Sequence, residues 1–330
     1  MKKLALLLLS ACFLLTSCDN DLDVLEEYTE IPVIYGLINP ASTTFEIRVQ
    51  KAFLGAGNAL LMAQETDSTY YNPNDISLYL EKLQFANSAP FDVDTFSVNY
   101  NSIKNEGLFT DAGHYVFQLA NTRLNSNFIY RLRFVNNLTG KNVTGITRII
   151  EPLYQKTLTP TTRVNLADDD PYTIRFNSSK NGKVYGLIMR IRYSETKKLT
   201  QAIVTKYLDF PLDYVTSRTL TGGEDMEFLI NGKSVFQFLG LKIKKDTTVT
   251  RRLQDFKSDF LFTAATDDFY NYIQINNPNN TVNFIPDFTN LSEGKGLFTC
   301  RLDTLIPSIS FNDLTYDSLL NGTYTRHIFE

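Results

Sequence analysis

What most constrains this chain is a period of two. From Thr44 to Leu54 the apolar residues Phe45, Ile47 and Val49 alternate with Glu46, Arg48 and Gln50, so an extended backbone here buries one face and wets the other. Ile31 to Asn39 (IPVIYGLIN) precedes this run, and Pro40-Ala41-Ser42 between them has hairpin-turn composition. Short β-rich runs return at Ile76 to Phe85, Thr95 to Tyr100, Tyr115 to Leu119, Phe128 to Asn136 and Val143 to Ile150, separated by Asn, Gly, Ser or Pro. Strands this short and this closely spaced predict a sandwich.

After Glu151-Pro152 the pattern loosens through KTLTPTTRVNLADDDP, which sets a domain boundary near residue 158. Tyr172 to Phe176 and Lys183 to Tyr193 then read as a second hairpin around Asn177 to Gly182, continued by Ala202 to Leu208 and Met226 to Ile230. Ser234 is placed to cap a helix over Val235 to Leu241. Thr266 is placed to cap another over Asp267 to Ile275, whose two leading aspartates suit the helix dipole. The predicted class is all-β with two or three short helices, built as two immunoglobulin-like or fibronectin-like antiparallel β-sandwiches in tandem, residues 30–157 and 158–330. One echo links them: Ile34-Tyr35-Gly36-Leu37-Ile38 and Val184-Tyr185-Gly186-Leu187-Ile188. A duplicated sandwich would produce it, and so would the small vocabulary of apolar strands.

Composition enters as a check on this. With 43% apolar and 21% charged residues the chain can fill cores and is not a disordered protein. Its start is a different matter. Met1-Lys2-Lys3 is followed by an apolar run from Leu4 to Leu15 of secretory-signal length, too short for a stable membrane span. Leu15-Thr16-Ser17-Cys18 looks like the lipobox of bacterial lipoproteins, with residues 1–17 the signal peptide and Cys18 the lipidated first residue of the mature chain. Buried acyl chains contribute about 0.8 kcal/mol per methylene, so two or three of them hold a protein on the bilayer. Asp19, Asp21, Asp23, Glu26 and Glu27 then make residues 18–29 an acidic, solvated tether. Such acidic residues resemble the signal that exports Bacteroidota lipoproteins to the outer face of the outer membrane, and a periplasm-facing spacer is the alternative.

Loss of Lys2 and Lys3 takes the formal net charge from −4 to −6. A nucleic-acid partner is not expected, because no basic patch is present to meet phosphates. Of three cysteines, Cys12 leaves with the signal and Cys18 carries lipid. Cys300 is left as a single apolar-type residue without a disulfide partner.

The lipobox, the hairpin PVIYGLINP with FEIRVQKAFLG, and DDFYNYIQINN followed by FTNLSEGKGLF together resemble an uncharacterised family of Bacteroidota outer-membrane lipoproteins, defined only as a domain of unknown function. The resemblance implies two β-sandwich domains, outer-membrane residence and genes that often lie near TonB-dependent receptors. It defines no catalytic residue. Asn290 and Gly294-Lys295-Gly296 are the matching positions of interest, and a turn that needs glycine's positive φ explains them.

Chemistry is sparse. Only His114 and His327 could serve a histidine-based site, and no HExxH, GxSxG or GxxxxGK[ST] pattern occurs. Gly55-Ala56-Gly57 in AFLGAGNALLMAQ has Leu60 where a dinucleotide loop needs its third glycine, so it reads as a turn with Asn58 capping a short helix. Asp168-Asp169-Asp170 lacks the spacing of a calcium loop. No metal and no cofactor is expected. For sugar recognition there is no tryptophan to stack on, and Tyr70-Tyr71 are the best exposed pair among 18 tyrosines; a pair pinning a loop to the sandwich is the competing reading. Asp67-Ser68-Thr69, Asp246-Thr247-Thr248, Asp303-Thr304-Leu305 and Asp317-Ser318-Leu319 look like short O-glycosylation motifs of the Bacteroidota envelope.

The functional expectation is a non-enzymatic, lipid-anchored outer-membrane protein, displayed at the cell surface. It would bind another envelope component, such as an outer-membrane transporter, or an extracellular ligand. A structural or adhesive surface protein is the alternative, followed by a hydrolase that uses paired carboxylates.

Overall fold

The computed structural model describes residues 30–52, 59–101, 114–120, 124–276 and 288–330. Among these the fold is mostly β, as the alternation predicts, and sandwich-like. β1 (Ile31–Ile38) and β2 (Thr44–Ala52) form the first hairpin, with Tyr35 opposite Arg48. Asn39 closes its turn: the carbonyl accepts from Ser42 N at 3.0 Å and Oδ1 accepts from Ala41 N, an Asx turn that sets the register locally. Single-turn helices α1 (Ala59–Met62) and α2 (Thr66–Thr69) precede β3 (Ile76–Leu83). The run Thr95 to Tyr100 is two strands, β4 (Asp92–Thr95) and β5 (Ser97–Asn101), because Phe96 is where the chain changes sheets. Phe96 is buried edge-on against Phe45, ring centroids 5.9 Å apart. β5 pairs with β6 (His114–Ala120), while β3 and β4 join β7 (Ile129–Asn136) and β8 (Asn142–Arg148) in a four-stranded sheet ordered β4-β3-β7-β8.

The second half begins with the two-residue strands β9 (Tyr154–Gln155) and β10 (Arg163–Val164), on either side of the expected boundary at 158. That segment is not a loose linker. Leu158 is buried, and the Gln155 side chain bonds both its N–H and its carbonyl. β11 (Tyr172–Asn177) does not form a hairpin with β12 (Val184–Lys197), contrary to the sequence expectation. It pairs with β9 and with β15 (Asp225–Ile230), whereas β12 pairs with β13 (Ile203–Pro211), with β14 (Val215–Thr216) and with β16 (Val249–Ala265). The reason is the corner at residues 178–183. The Tyr185 hydroxyl accepts from Ser179 N at 2.8 Å and sits 3.2 Å from the Gly182 carbonyl, which turns the chain from one sheet to the other.

α3 (Gly232–Lys242) is capped by Asn231, whose Oδ1 accepts from Ser234 N at 3.0 Å, so Ser234 lies inside the first turn and is not the cap. α4 (Asp267–Ile275) forms where expected. Thr266 makes no capping bond, however, because its hydroxyl is engaged with that of Thr299. β16 and β17 (Lys295–Phe311), each 17 residues long, escape sequence reading because their pattern breaks. Charged residues fall inside β16, where Arg251 reaches Glu195 at 2.9 Å and Asp259 reaches Arg192 at 3.1 Å, and the ladders shift register near Ser258. α5 (Asp313–Asn321) follows, capped by Asn312.

The decisive pairing is between β1 and β17. They run parallel from Val33 opposite Lys295 to Ile38 opposite Cys300, which joins both halves into one ten-stranded sheet containing β13-β12-β16-β17-β1-β2-β6-β5. Register puts Gly36, Phe298, Cys300, Leu302, Ala264 and Tyr185 on a single face of this sheet. The four-stranded and three-stranded sheets both pack on that face. Phe176 of β11 meets Tyr185, Phe228 and Phe262 at 5.2 to 5.7 Å between centroids, contacts that contribute about 0.5–1.5 kcal/mol each beyond area burial. The buried residues of the two halves form one continuous cluster. Hydrogen bonding therefore crosses the expected boundary along the shared sheet.

Candidate functional site

Cys18, the lipobox residues Leu15, Thr16 and Ser17, and the acidic positions Asp19, Asp21 and Asp23 lie outside the described residues, as does Gly55-Ala56-Gly57. The described chain starts at Glu30, whose carboxylate accepts from Asn136 Nδ2 at 2.9 and 3.1 Å. The start of the described chain is thus fixed to the β7–β8 turn. No helix among the described residues is long and apolar enough to cross a membrane.

Tyr70 and Tyr71 are not exposed, so of the two readings of this pair the packing matches the one that pins a loop to the sandwich. They are 7% and 8% accessible. Tyr70 stacks on His114 with centroids 6.0 Å apart, and Tyr71 leans on Phe134 at 5.3 Å with Lys51 Nζ over its ring. Rings packed this way pin α2 to the sandwich and show no face to a ligand. His114 is likewise buried, and His327 is exposed. Cys300 is fully buried, and burial pushes its thiol up to about 12, so it stays protonated and inert. Asp168, Asp169 and Asp170 are exposed. Among the described residues no three His, Cys, Asp or Glu side chains gather closely enough to hold a metal ion. Of the four Asp-Ser/Thr tripeptides, only residues 246–248 lie outside a helix or strand at their start, and there Thr248 Oγ1 donates to Asp246.

The FTNLSEGKGLF stretch is a seam. Gly296 has φ +111°, and a Cβ on it would lie 2.1 Å from the Ile34 carbonyl, so only glycine lets β17 approach β1. Asn290 clasps the same strand: its Oδ1 accepts from Phe298 N at 2.9 Å, and its Nδ2 donates to the Phe298 carbonyl at 2.7 Å and to Asp268 Oδ2 at 3.0 Å. Burial holds the Asp268 carboxyl above its ordinary range, the bond from Asn290 working the other way. Asp267 and Asp268 line a cleft of about 210 Å³ with Arg148 and Ile129. Consecutive helix positions diverge by about 100°, and Asp268 is committed to the brace.

The site that the architecture builds is on the opposite face of the large sheet. Tyr35 and Leu37 project from β1 there, 44% and 41% accessible, although β1 is a central strand paired on both sides. Beside them Glu46, Arg48 and Gln50 stand in a row along β2 at intervals of about 6.7 Å, Arg48 directly opposite Tyr35. Leu297 of β17 and Val116 of β6 complete the floor, and Phe269 and Tyr272 of α4 form a wall, enclosing a groove of about 570 Å³. Glu46 is held by Gln118, whose Nε2 donates at 3.3 Å, and Gln118 in turn accepts from Asn99 at 2.5 Å. Arg48 and Gln50 have no side-chain hydrogen bond or ion pair among the described residues.

Sequence reasoning missed this groove. The signal was there in IPVIYGLI: β1 is apolar at both parities, Ile34 and Ile38 on one face and Tyr35 and Leu37 on the other. Such a strand is either covered on both sides or carries a site. Which of these holds depends on α4, some 230 residues away in the chain. No protein-family model and no curated protein matches the chain.

Proposed function

We propose that the protein is a lipid-anchored binding module of the bacterial outer membrane, displayed at the cell surface, which serves another envelope component such as a transporter or captures an extracellular ligand. The observation that supports this best is the groove between β1, β2 and α4. Its volume lies within the about 300–1,000 Å³ of small-ligand sites, and its floor is carried on central strands that cannot shift without breaking two ladders. A tether of residues 18–29 spans at most about 40 Å when extended. Tyr35 lies about 17 Å along β1 from Glu30. The groove is therefore held close to the membrane yet in water, where an acceptor in the same membrane can reach it.

Membrane fractionation tests the anchor: Cys18→Ala is expected to release the protein into the soluble fraction. Gentle solubilisation and affinity isolation of the lipidated protein test the accessory role, with a stoichiometric outer-membrane partner as the expected result. A Cys18→Ala protein that stays firmly membrane-bound, or a lipidated protein isolated alone, would count against the respective half of the proposal.

A further inference from the structure

We infer that the groove over Tyr35 binds a neutral oligosaccharide, stacked between Tyr35 and the α4 residues Phe269 and Tyr272 and hydrogen-bonded by the Glu46, Arg48 and Gln50 row. This deepens the binding-module reading and rests on it.

Three features of the groove select the ligand class. The first is its net charge. Glu46 and Arg48 are two residues apart on one face of β2 and cancel, so neither an anionic nor a cationic ligand gains from the field of this row. The second is the mixture of surfaces. Aromatic and apolar side chains from β1 and α4 lie beside a row of an acid, a guanidinium and an amide on β2. A purely apolar ligand would strip water from Arg48 and Gln50 without replacing those hydrogen bonds, at a cost. A chain of pyranose rings offers apolar faces for the aromatic rings and hydroxyls, each donor and acceptor, for the polar row. The third concerns the backbone. β1 is paired to β17 on one side and to β2 on the other, so its main-chain groups are spent and an extended peptide cannot add to the sheet here. Recognition must run through side chains. Arg48 supplies a fixed fork of donors, and the Asn99–Gln118–Glu46 relay holds an acceptor beside it.

The test is calorimetric titration of the purified full-length protein, in a detergent whose headgroup is not a sugar. Probes are cellohexaose, maltohexaose, xylohexaose and mannohexaose, with hexagalacturonate and an uncharged Gly/Ser/Thr hexapeptide as comparators. At least one neutral hexasaccharide is expected to bind at micromolar to millimolar levels. Tyr272→Ala and Arg48→Ala should each weaken it about tenfold or more. Tyr207→Ala, which removes an exposed ring from β13 outside the groove, should leave it unchanged. Thermal unfolding within a few degrees of wild type shows that the variants are folded. Binding of none of the four sugars at 10 mM (about −2.7 kcal/mol or weaker), or binding indifferent to both groove substitutions, overturns the assignment. Preference for hexagalacturonate or for the peptide also overturns the ligand class, while leaving the binding-module reading to stand or fall on the partner isolation above.

Discussion

Two strands of this molecule carry nearly the same five residues and use them in opposite ways. In β1, Ile34 and Ile38 face the core and Tyr35 points out at 44% accessibility; in β12, Tyr185 is fully buried and Leu187 lies beside it on the inner face. Both strands belong to one sheet and present the same side to the opposing layers. The parity of the echo is therefore inverted between them. A strand that slips by one residue exchanges its faces, so a duplicated sandwich would have kept the tyrosine on one side. The likeness is one of vocabulary. What separates the tyrosines is their surroundings: Tyr185 closes a corner through Ser179 and Gly182, whereas Tyr35 sits across from Arg48 under α4.

The comparison can be broken at the seam between the halves, and there the effect should be largest. Gly296→Val puts a side chain against the Ile34 carbonyl at a φ that β-branched residues avoid, so the protein should fail to fold or lose more than about 4 kcal/mol in urea titration. A variant of near wild-type stability would mean that β1 and β17 are not joined as described. Next comes the tyrosine contrast itself. Tyr185→Ala should cost about 3 kcal/mol or more through an unfilled core, and Tyr35→Ala under about 1 kcal/mol; equal losses would erase the distinction between the strands.

A finer cut is Tyr185→Phe, which keeps the ring and leaves the buried Ser179 N–H without its acceptor, for a loss of about 1–3 kcal/mol. Burial also pushes the Tyr185 hydroxyl up to about 12. Its folded pKa exceeds the unfolded value of about 10, so wild-type stability should be intact below pH 10 and fall from there towards pH 12, and this fall should be shallower in Tyr185→Phe.

The smallest effect concerns the helix that walls the groove. Asp268 has its carboxyl held up by burial, so its ionisation opposes folding. Stability from this group is greatest below the unfolded pKa of about 3.9 and declines as pH rises through the raised folded value. Asp268→Asn keeps an oxygen for Asn290 and removes that charge. Its melting temperature should match or slightly exceed wild type at pH 7, with the advantage vanishing near pH 3 in paired scans. A clear loss at pH 7 would show that the charge itself secures α4.

How much of this was legible beforehand varies by residue. Phe45, Ile47 and Val49 announced their face, and burial follows the alternation residue by residue. Asp267 to Ile275 announced a helix, and it forms. Tyr70 and Tyr71 left two readings open, because a polar neighbourhood in the chain, Asp67 to Thr69, says nothing of what the fold brings against the rings, here His114 and Phe134. β16 was hidden because its charges are paired across strands, with Glu195 and Arg192 of β12, and a neighbour 50 or more residues away leaves no local trace.

From residue order alone came the β class, the first hairpin and its wet and dry faces, because side chains alternate about an extended backbone whatever lies around it. Tertiary structure alone decided that β1 lies against β17, that the two halves share one sheet and one core, and that an apolar pair on β1 lies open beside α4. Those outcomes depend on contacts between distant segments. A strand's pattern states which residues share a face, and only the assembled fold states what that face will meet.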